Sequence, residues 1–255
     1  MSPFPAFSPS PADSDDGTRL QQQFDTVRAR ISEAARHAHR TPDSVRLLAV
    51  SKTFPADDVR RVHAFGQHAF GENYVQEALD KIAALRDLRA DLEWHFIGPL
   101  QSNKTRAVAE AFDWVHTVDR LKIATRLSEQ RPADLPPLNI CVQVNISDEA
   151  SKSGVAPADT LALLRDIAAL PRLTLRGLMA IPAAVGSDAS PEAKRAPHRA
   201  LRQLLITARE AGFDLDTVSA GMSDDLEAAI QEGSTLVRIG SALFGRRDYG
   251  VRGAQ

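Results

Sequence analysis

Residues 138–181 read LNICVQVNISDEASKSGVAPADTLALLRDIAALPRLTLRGLMAI, two apolar runs on either side of a helical segment. The runs at 138–146 and 173–181 are apolar on both faces over much of their length, which is typical of strands buried in a parallel sheet. The segment at 157–169 is helix-like and opens with Pro157, a residue favoured in a first helical turn. The stretch therefore predicts a strand, a crossover helix and a second, parallel strand.

The same alternation continues in both directions along the chain. Six further strands are predicted, at 46–51, 69–72, 93–98, 113–118, 217–220 and 235–240. Helix-like segments lie at 56–65, 74–89, 103–111, 120–130, 191–211 and 224–232. Eight βα units in about 210 residues predict an α/β fold, a single (β/α)8 barrel of the TIM type.

A doubly wound open sheet is the structural alternative. Such sheets usually have a glycine-rich first turn, whereas the first predicted strand continues as Val50-Ser51-Lys52-Thr53. This turn therefore lacks a dinucleotide-binding fingerprint. No internal repeat or interdomain linker divides the sequence, so we expect one domain.

The N-terminal region adds a helix to the barrel. Leu20, Phe24, Val27 and Ile31 form one apolar face, which predicts an amphipathic helix over 18–38. Residues 1–17 contain four prolines and no basic residue, and they match neither a secretory signal nor a mitochondrial presequence. We expect a disordered tail at 1–17, the barrel with its added helix at 18–247, and a short C-terminal tail at 248–255.

Composition limits the possible functions. The 255 residues include 31 basic and 33 acidic side chains, so no positive excess favours nucleic acid or an anionic membrane. The single cysteine, Cys141, excludes an intrachain disulfide and argues against a cysteine-based zinc site, and we expect it to pack in the core. No apolar run approaches the roughly 20 residues that span a bilayer. We therefore expect a cytoplasmic protein that binds neither nucleic acid nor membrane.

Reactive residues of such barrels come from the carboxyl ends of the strands and the loops that follow. Lys52 directly follows an apolar strand, where burial would lower the pKa of its ammonium group and supply the neutral amine that forms a Schiff base. A lysine that only extends to solvent at a strand end is an equally open interpretation. The other candidates at these positions are Asn73, His95, His116, Asn145, Met179, Ser219, Ser223, Arg238 and Ser241.

Two neighbouring loops favour phosphate binding. Residues 219–223 (SAGMS) follow the seventh predicted strand, and residues 240–242 (GSA) follow the eighth. Barrels frequently bind phosphate at these two loops through backbone N–H groups and a helix N-terminus, and serine hydroxyls add donors. Small residues are common in turns, so each loop alone is weak evidence, whereas the pair favours phosphate.

Several strand-end residues leave alternatives open. Arg238 can point into the barrel, where it must be paired, and a barrel carboxylate such as Glu72 is one possible partner. A single strand-end histidine such as His95 is more often a hydrogen-bonding residue than a base, and His116 has no evident companion in the sequence.

A Schiff-base lysine beside a phosphate site suits a sugar phosphate in a class I aldolase-like enzyme, or pyridoxal phosphate (PLP).

Seven motifs resemble those of one family. They are AVSK (49–52), GENYVQE (71–77), WHFIGPLQSNK (94–104), KSG (152–154), GLM (177–179), SAGMSDD (219–225) and VRIGSALFG (237–245). In this order, over residues 20–247, they resemble the pyridoxal phosphate homeostasis proteins, single-domain barrels related to the N-terminal domain of alanine racemase. Agreement of seven motifs is highly specific.

The resemblance implies a role for each matched residue. Lys52 is similar to the lysine that holds PLP as an internal aldimine, and Arg238 is similar to the arginine that faces the pyridine nitrogen. The remaining implied cofactor-binding residues are Ser219, Ser223, Gly240 and Ser241 for the phosphate, and Asn73, His95, Asn145 and Met179 around the ring.

Two functions are compatible with the resemblance. One is a carrier that binds PLP through Lys52, buffers its aldehyde and delivers it to apo-enzymes; the other is a PLP-dependent amino-acid racemase. An arginine beside the pyridine nitrogen makes the ring a poor electron sink, which both functions tolerate. A racemase needs a second base, and neither Tyr74 nor Tyr249 is a compelling one, so a carrier without turnover is preferred. The β-domain that pairs racemase subunits is expected to be missing, which favours a monomer.

Overall fold

The computed structural model describes residues 11–147, 153–183, 186 and 188–245, with side chains from residue 17 onward. The first ten residues of the predicted N-terminal tail and the predicted tail at 248–255 lie outside these ranges. Within them, strands and helices alternate along the chain as the hydrophobic pattern predicts.

The strands are β1 (Arg46–Val50), β2 (Ala69–Glu72), β3 (Glu93–Phe96), β4 (Trp114–Val118), β5 (Leu138–Gln143), β6 (Leu173–Met179), β7 (Thr217–Ser219) and β8 (Leu236–Ile239). The helices are α1 (Pro11–His37), α2 (Ala56–Ala64), α3 (Val75–Ala84), α4 (Thr105–Ala111), α5 (Leu121–Gln130), α6 (Thr160–Ala168), α7 (Pro191–Glu210), α8 (Leu226–Gln231) and α9 (Ser241–Phe244). Short 3-10 turns lie at Pro42–Ser44, Arg86–Leu88, Ser102–Lys104 and Pro157–Asp159.

The eight strands form a closed parallel barrel. Each strand pairs with the next in sequence order, and β8 closes the barrel against β1, with Leu48 opposite Arg238. This confirms the predicted (β/α)8 barrel and excludes the open sheet. Closure places the loop after β1 beside the loop after β8, so Lys52 and the predicted phosphate loops lie at the same end of the barrel.

The main core lies between the outer face of the barrel and the surrounding helices. Outward residues such as Phe70, Trp94 and Val237 are fully buried there. Side chains alternate along each strand, so the intervening positions point into the barrel. Two small apolar clusters form there, one around Leu48 and Leu236, the other of Trp114, Cys141 and Met179.

Helix α1 begins earlier than predicted. The apolar face of Leu20, Phe24, Val27 and Ile31 is buried as expected, but the helix starts at Pro11 instead of residue 18. Proline is well tolerated in a first helical turn. Acidic residues near a helix N-terminus are also stabilising, because they interact favourably with the positive end of the helix dipole. Residues 11–17 therefore belong to the helix and not to the predicted tail.

The other differences are at element ends. The predicted helix at 74–89 ends at Ala84 and is followed by a separate 3-10 turn, and a short helix, α9, follows β8. Among the described helices, none is both long and apolar enough to cross a bilayer.

Candidate functional site

A cavity of about 520 Å³ lies at the carboxyl ends of the strands. Six of the predicted site residues line this cavity: Lys52, Asn73, Ser223, Arg238, Gly240 and Ser241. The rest of the described lining consists of Val50, Ile97, Ile181, Met222 and Asp224. The cavity therefore combines a lysine, an arginine and two serine hydroxyls with apolar walls.

A buried ion pair holds the loop that contains Lys52. Lys81 Nζ on α3 donates to Glu72 Oε1 at 2.5 Å and to the backbone oxygen of Ser51 at 2.8 Å. The Ser51 hydroxyl donates to the same Glu72 oxygen at 2.7 Å, and all three side chains are almost fully buried. These bonds fix the residue immediately before Lys52 from behind, on the side away from the cavity.

The same ion pair excludes Glu72 as the partner of Arg238. Burial raises the pKa of the Glu72 carboxyl, and the charge and hydrogen bond of Lys81 oppose that rise. Glu72 thus has its cation on the outer side of the barrel, where α3 packs. The alternative in which Glu72 pairs with Arg238 is wrong.

A second part of the cavity wall is formed by the loops after β7 and β8. The hydroxyl oxygens of Ser223 and Ser241 lie 3.3 Å apart. Gly221 has φ +95°, and a Cβ there would come within 2.7 Å of Ala229 Cβ, so this loop requires glycine. Gly240 lies against β1, since an added Cβ would be 3.3 Å from the Val50 carbonyl oxygen. The predicted pair of phosphate loops therefore meets at one place.

Two contacts from neighbouring helices hold this loop. The guanidinium of Arg30 on α1 donates to the Ser223 carbonyl oxygen at 3.0 Å and to Glu227 at 2.9 Å. Asp225 accepts from the Met222 backbone N–H at 2.6 Å and bonds to His198 on α7 at 3.0 Å. The helix added to the barrel thus contributes directly to the position of Ser223.

Arg238 lies at the base of the cavity and is 4% exposed. Its Nη1 donates to the carbonyl and hydroxyl oxygens of Ser219 at 2.7 and 2.8 Å, and its Nη2 donates to the Ala180 carbonyl oxygen at 3.0 Å. Burial lowers the pKa of the guanidinium to about 10, so it remains protonated at neutral pH. The strand β8 therefore presents a fixed cation to the cavity.

Four predicted site residues are not part of this lining. Ser219 is fully buried below Arg238, and Met179 packs inside the barrel with Trp114 and Cys141. His95 is fully buried inside the barrel, where its ring stacks on Trp114 with 5.2 Å between centroids. Asn145 lies beyond β5 and donates its backbone N–H to Val155. Their predicted roles at a ligand stay predictions.

Two sequence interpretations can be judged from the interior of the barrel. Cys141 is fully buried, and burial raises the pKa of its thiol to about 12, which confirms it as core packing. His116 does have companions, because its ring nitrogens lie 2.8 Å from Ser219 Oγ and 2.8 Å from His95 Nδ1. Those partners come from other strands, so the sequence around His116 shows no sign of them.

The lining residues that sequence reasoning missed fall into two groups. Val50 belongs to the AVSK motif, and Met222 and Asp224 belong to the SAGMSDD motif, but the resemblance implies no role for them. Ile97 and Ile181 lie just beyond the ends of β3 and β6, and they form apolar walls. Their strand-end position was the available signal, yet an apolar side chain there is easily taken for core.

In the KSG motif, Lys152 lies outside the described residues, and Ser153 lines a neighbouring cavity that also contains Asn73.

Comparison with known proteins gives consistent matches. The family model described as "Alanine racemase, N-terminal domain" matches residues 23–248. The pyridoxal phosphate homeostasis protein of Pseudomonas aeruginosa is 63% identical over 91% of this chain and 97% of its own length. That of Escherichia coli K12 is 55% identical over 88% of this chain and 94% of its own length. The solved structure of PipY from Synechococcus elongatus PCC7942 with PLP bound is 36% identical, with a TM-score of 0.76 over 89% of this chain and 100% of that one.

Proposed function

Because this chain belongs to the family of the pyridoxal phosphate homeostasis proteins, we propose that it binds PLP in the cavity at the carboxyl end of its barrel and maintains PLP homeostasis. One observation carries the proposal: a single cavity is lined by Lys52, Arg238 and the Ser223–Ser241 hydroxyl pair. These are an amine, a cation and a set of anion donors, which suit the aldehyde, the pyridine nitrogen and the phosphate of PLP.

The residues present fit this cofactor. A volume of about 520 Å³ lies within the roughly 300–1,000 Å³ usual for small-molecule sites. Among the described residues, the buried Oδ1 of Asn73 has no hydrogen-bond partner, although Asn73 lies in the cavity wall. Buried polar atoms are rarely left unsatisfied, so a ligand with a donor group completes this wall.

Lys52 is the proposed point of covalent attachment. Bound PLP would supply an aldehyde, and the Lys52 amine would hold it by condensation, with a carbon–nitrogen double bond formed and one water released. The bonds from Lys81 and Glu72 to Ser51 hold the backbone next to this amine. Water reverses the same step, which makes the attachment suitable for storage of PLP and its later delivery to apo-enzymes.

Arg238 is compatible with both a carrier and a racemase, so the choice between them depends on a second base. A fixed guanidinium donates N–H groups and disfavours a second positive charge beside it, so a ring nitrogen facing it stays unprotonated. A racemase also needs a base on the opposite face of the ring. Tyr74, the one tyrosine in the described ranges, is 55% exposed and is not among the cavity-lining residues, and Tyr249 lies outside those ranges. We propose a cytoplasmic, monomeric carrier without racemase turnover.

The test is a visible absorption spectrum of the purified protein incubated with PLP, before and after borohydride, followed by peptide mass mapping. We expect a yellow band that borohydride converts to a stable adduct on Lys52. In Lys52→Ala the adduct should disappear while the cooperative urea transition remains, because Lys52 serves a ligand and not the core. Lys104→Ala, an exposed lysine, should behave like the wild type. An adduct on another lysine, or no PLP uptake by the wild type, would overturn the proposal.

A further inference from the structure

A line of polar side chains crosses the inside of the barrel from the cavity to the opposite end. Arg238 Nη1 donates to Ser219 Oγ at 2.8 Å, and this oxygen lies 2.8 Å from His116 Nδ1. His116 Nε2 lies 2.8 Å from His95 Nδ1, and His95 Nε2 lies 2.6 Å from Glu93 Oε1. The three middle side chains are fully buried. The line thus joins a cation and an anion through three side chains that need carry no charge.

The two charged ends, together with neutral imidazoles, define the direction of every hydrogen bond in this line. A carboxylate can only accept, so His95 Nε2 donates to Glu93. If His95 is neutral, its Nδ1 accepts, and His116 must then donate from Nε2 and accept at Nδ1. The Ser219 hydroxyl therefore donates to His116 and accepts from Arg238, which as a guanidinium can only donate. One arrangement satisfies all four bonds, with both imidazoles neutral and protonated on Nε2.

The surroundings favour neutral imidazoles. Burial lowers the pKa of His95 more than the hydrogen bond and charge of Glu93 raise it; Arg46 lowers this pKa further and Asp113 opposes it. Burial also lowers the pKa of His116, and the charges of Arg238 and Arg46 act in the same direction. A protonated imidazole at either position would place a second cation close to Arg238 or Arg46.

The far end of the line lies at the amino ends of the strands. Glu93 Oε1 also accepts from Arg46 Nη2 at 2.5 Å, and both residues line a second cavity of about 450 Å³. Among the described residues, no carboxylate contacts the guanidinium of Arg238, whose acceptors are two carbonyl oxygens and one hydroxyl. Through Ser219, His116 and His95, the hydrogen bonds of Arg238 lead to the carboxylate of Glu93.

We propose that Ser219, His116 and His95 form a directed hydrogen-bond chain that orients Arg238 at the cavity and links its charge to Glu93 at the opposite end of the barrel. His116 and His95 are then positioning residues for the ring of the ligand, a role that rests on the proposed PLP binding. Fixing Nη1 on Ser219 and Nη2 on Ala180 sets the plane of the guanidinium and leaves other N–H donors for the cavity.

The first experiment tests the chain without any cofactor. Long-range ¹H–¹⁵N correlation spectra of the apo-protein, labelled on histidine, distinguish neutral Nε2–H, neutral Nδ1–H and charged imidazoles. We expect His95 and His116 both to be neutral Nε2–H tautomers at pH 7.5, with assignments from His95→Gln and His116→Gln. A charged imidazole or an Nδ1–H tautomer at either position would overturn the direction of the chain.

The second experiment tests the link to the cavity. Glu93→Gln keeps an oxygen that can accept from His95 but removes the charge, and we expect it to weaken PLP binding about fivefold in equilibrium titrations. Asp113→Asn is the matched control, because Asp113 pairs with Arg89 at the same end of the barrel and its carboxylate bonds to neither histidine. It should bind PLP within about twofold of the wild type.

The two experiments separate the possible failures. Equal PLP affinities for Glu93→Gln and Asp113→Asn, with matching urea midpoints, would contradict the positioning role. A wild-type protein that takes up no PLP would remove the proposed function, whereas the tautomer result would still decide whether the chain exists. If Glu93→Gln does not fold, the tautomers of the wild type decide the proposal.

Discussion

At the level of single residues, we expect disruption of the buried Lys81–Glu72 ion pair to lower the free energy of unfolding strongly. Both side chains are at most 4% exposed, and the carboxylate has been taken out of water. Removing one member of a buried ion pair leaves the other charge without compensation. The pair therefore couples the position of the Lys52 loop to the stability of the whole barrel.

Lys81→Met tests this coupling. We expect the free energy of unfolding to fall by about 3–5 kcal/mol, because the Glu72 carboxylate loses its cation. Urea denaturation, followed by the fluorescence of the buried Trp94 and Trp114, measures the change. Lys104→Met, at an exposed position, should shift it by less than about 0.5 kcal/mol. A loss in Lys81→Met no larger than in this control would show that the ion pair contributes little.

The sequence predicted the residues that line the cavity better than the contacts between residues inside the barrel. Lys52, Ser223 and Ser241 were found because a strand end or a loop after a strand is a local property of the sequence. The partners of His116 are 21 residues away in β3 and 103 residues away in β7. Only the closed barrel brings them together, so no local pattern could have indicated them.

At the level of elements, the contact between β6 and β7 depends on a missing side chain. Gly177 pairs with Thr217 in the sheet, and a Cβ at this glycine would lie 1.7 Å from the Thr217 carbonyl oxygen. The two strands could accommodate it only by moving apart. Because β7 ends at Ser219, such a movement would also displace the support of Arg238.

Gly177→Ala should therefore destabilise the barrel by about 3 kcal/mol or more, the upper range for overpacking a core. Gly66→Ala is a suitable comparison, since Gly66 has φ +95° but nothing within 4 Å of an added Cβ. There the left-handed backbone alone should cost about 1 kcal/mol. The two urea midpoints give the difference directly, and equal losses would argue against a steric conflict at Gly177.

Strand positions were predicted within a few residues because each strand combines an apolar run with a clear stop. Helix ends were harder to predict. The start of α1 at Pro11 was missed because prolines and acidic residues suggest a tail, although both are also favourable in the first turns of a helix. The same composition fits both states, so composition alone does not distinguish them.

At the level of the whole molecule, the buried histidines should make stability depend on pH. The pKa values of His95 and His116 are lowered in the folded protein, chiefly by burial, relative to the usual value near 6.5. As the pH falls below about 6.5, the unfolded chain therefore takes up protons before the folded protein does. The stability these residues contribute is fully present above that pH and is lost progressively below it.

We expect the free energy of unfolding to be about 2–3 kcal/mol lower at pH 5.5 than at pH 7.5 because of these two residues. Urea denaturation at both pH values measures the difference. In His116→Gln the difference should shrink by about half. Replacing His37, which is exposed, with Gln should leave it unchanged. A pH difference that is the same in all three proteins would contradict this origin.

Closure of the barrel between β1 and β8 has a consequence for how the protein is made. The ribosome releases Lys52 long before Arg238, Gly240 and Ser241. Until β8 docks beside β1, the Lys52 amine of a nascent chain has neither Arg238 nor the Ser241 hydroxyl beside it in a cavity. The complete cavity is therefore a property of molecules in which the barrel has closed, and fragments that lack β8 do not contain it.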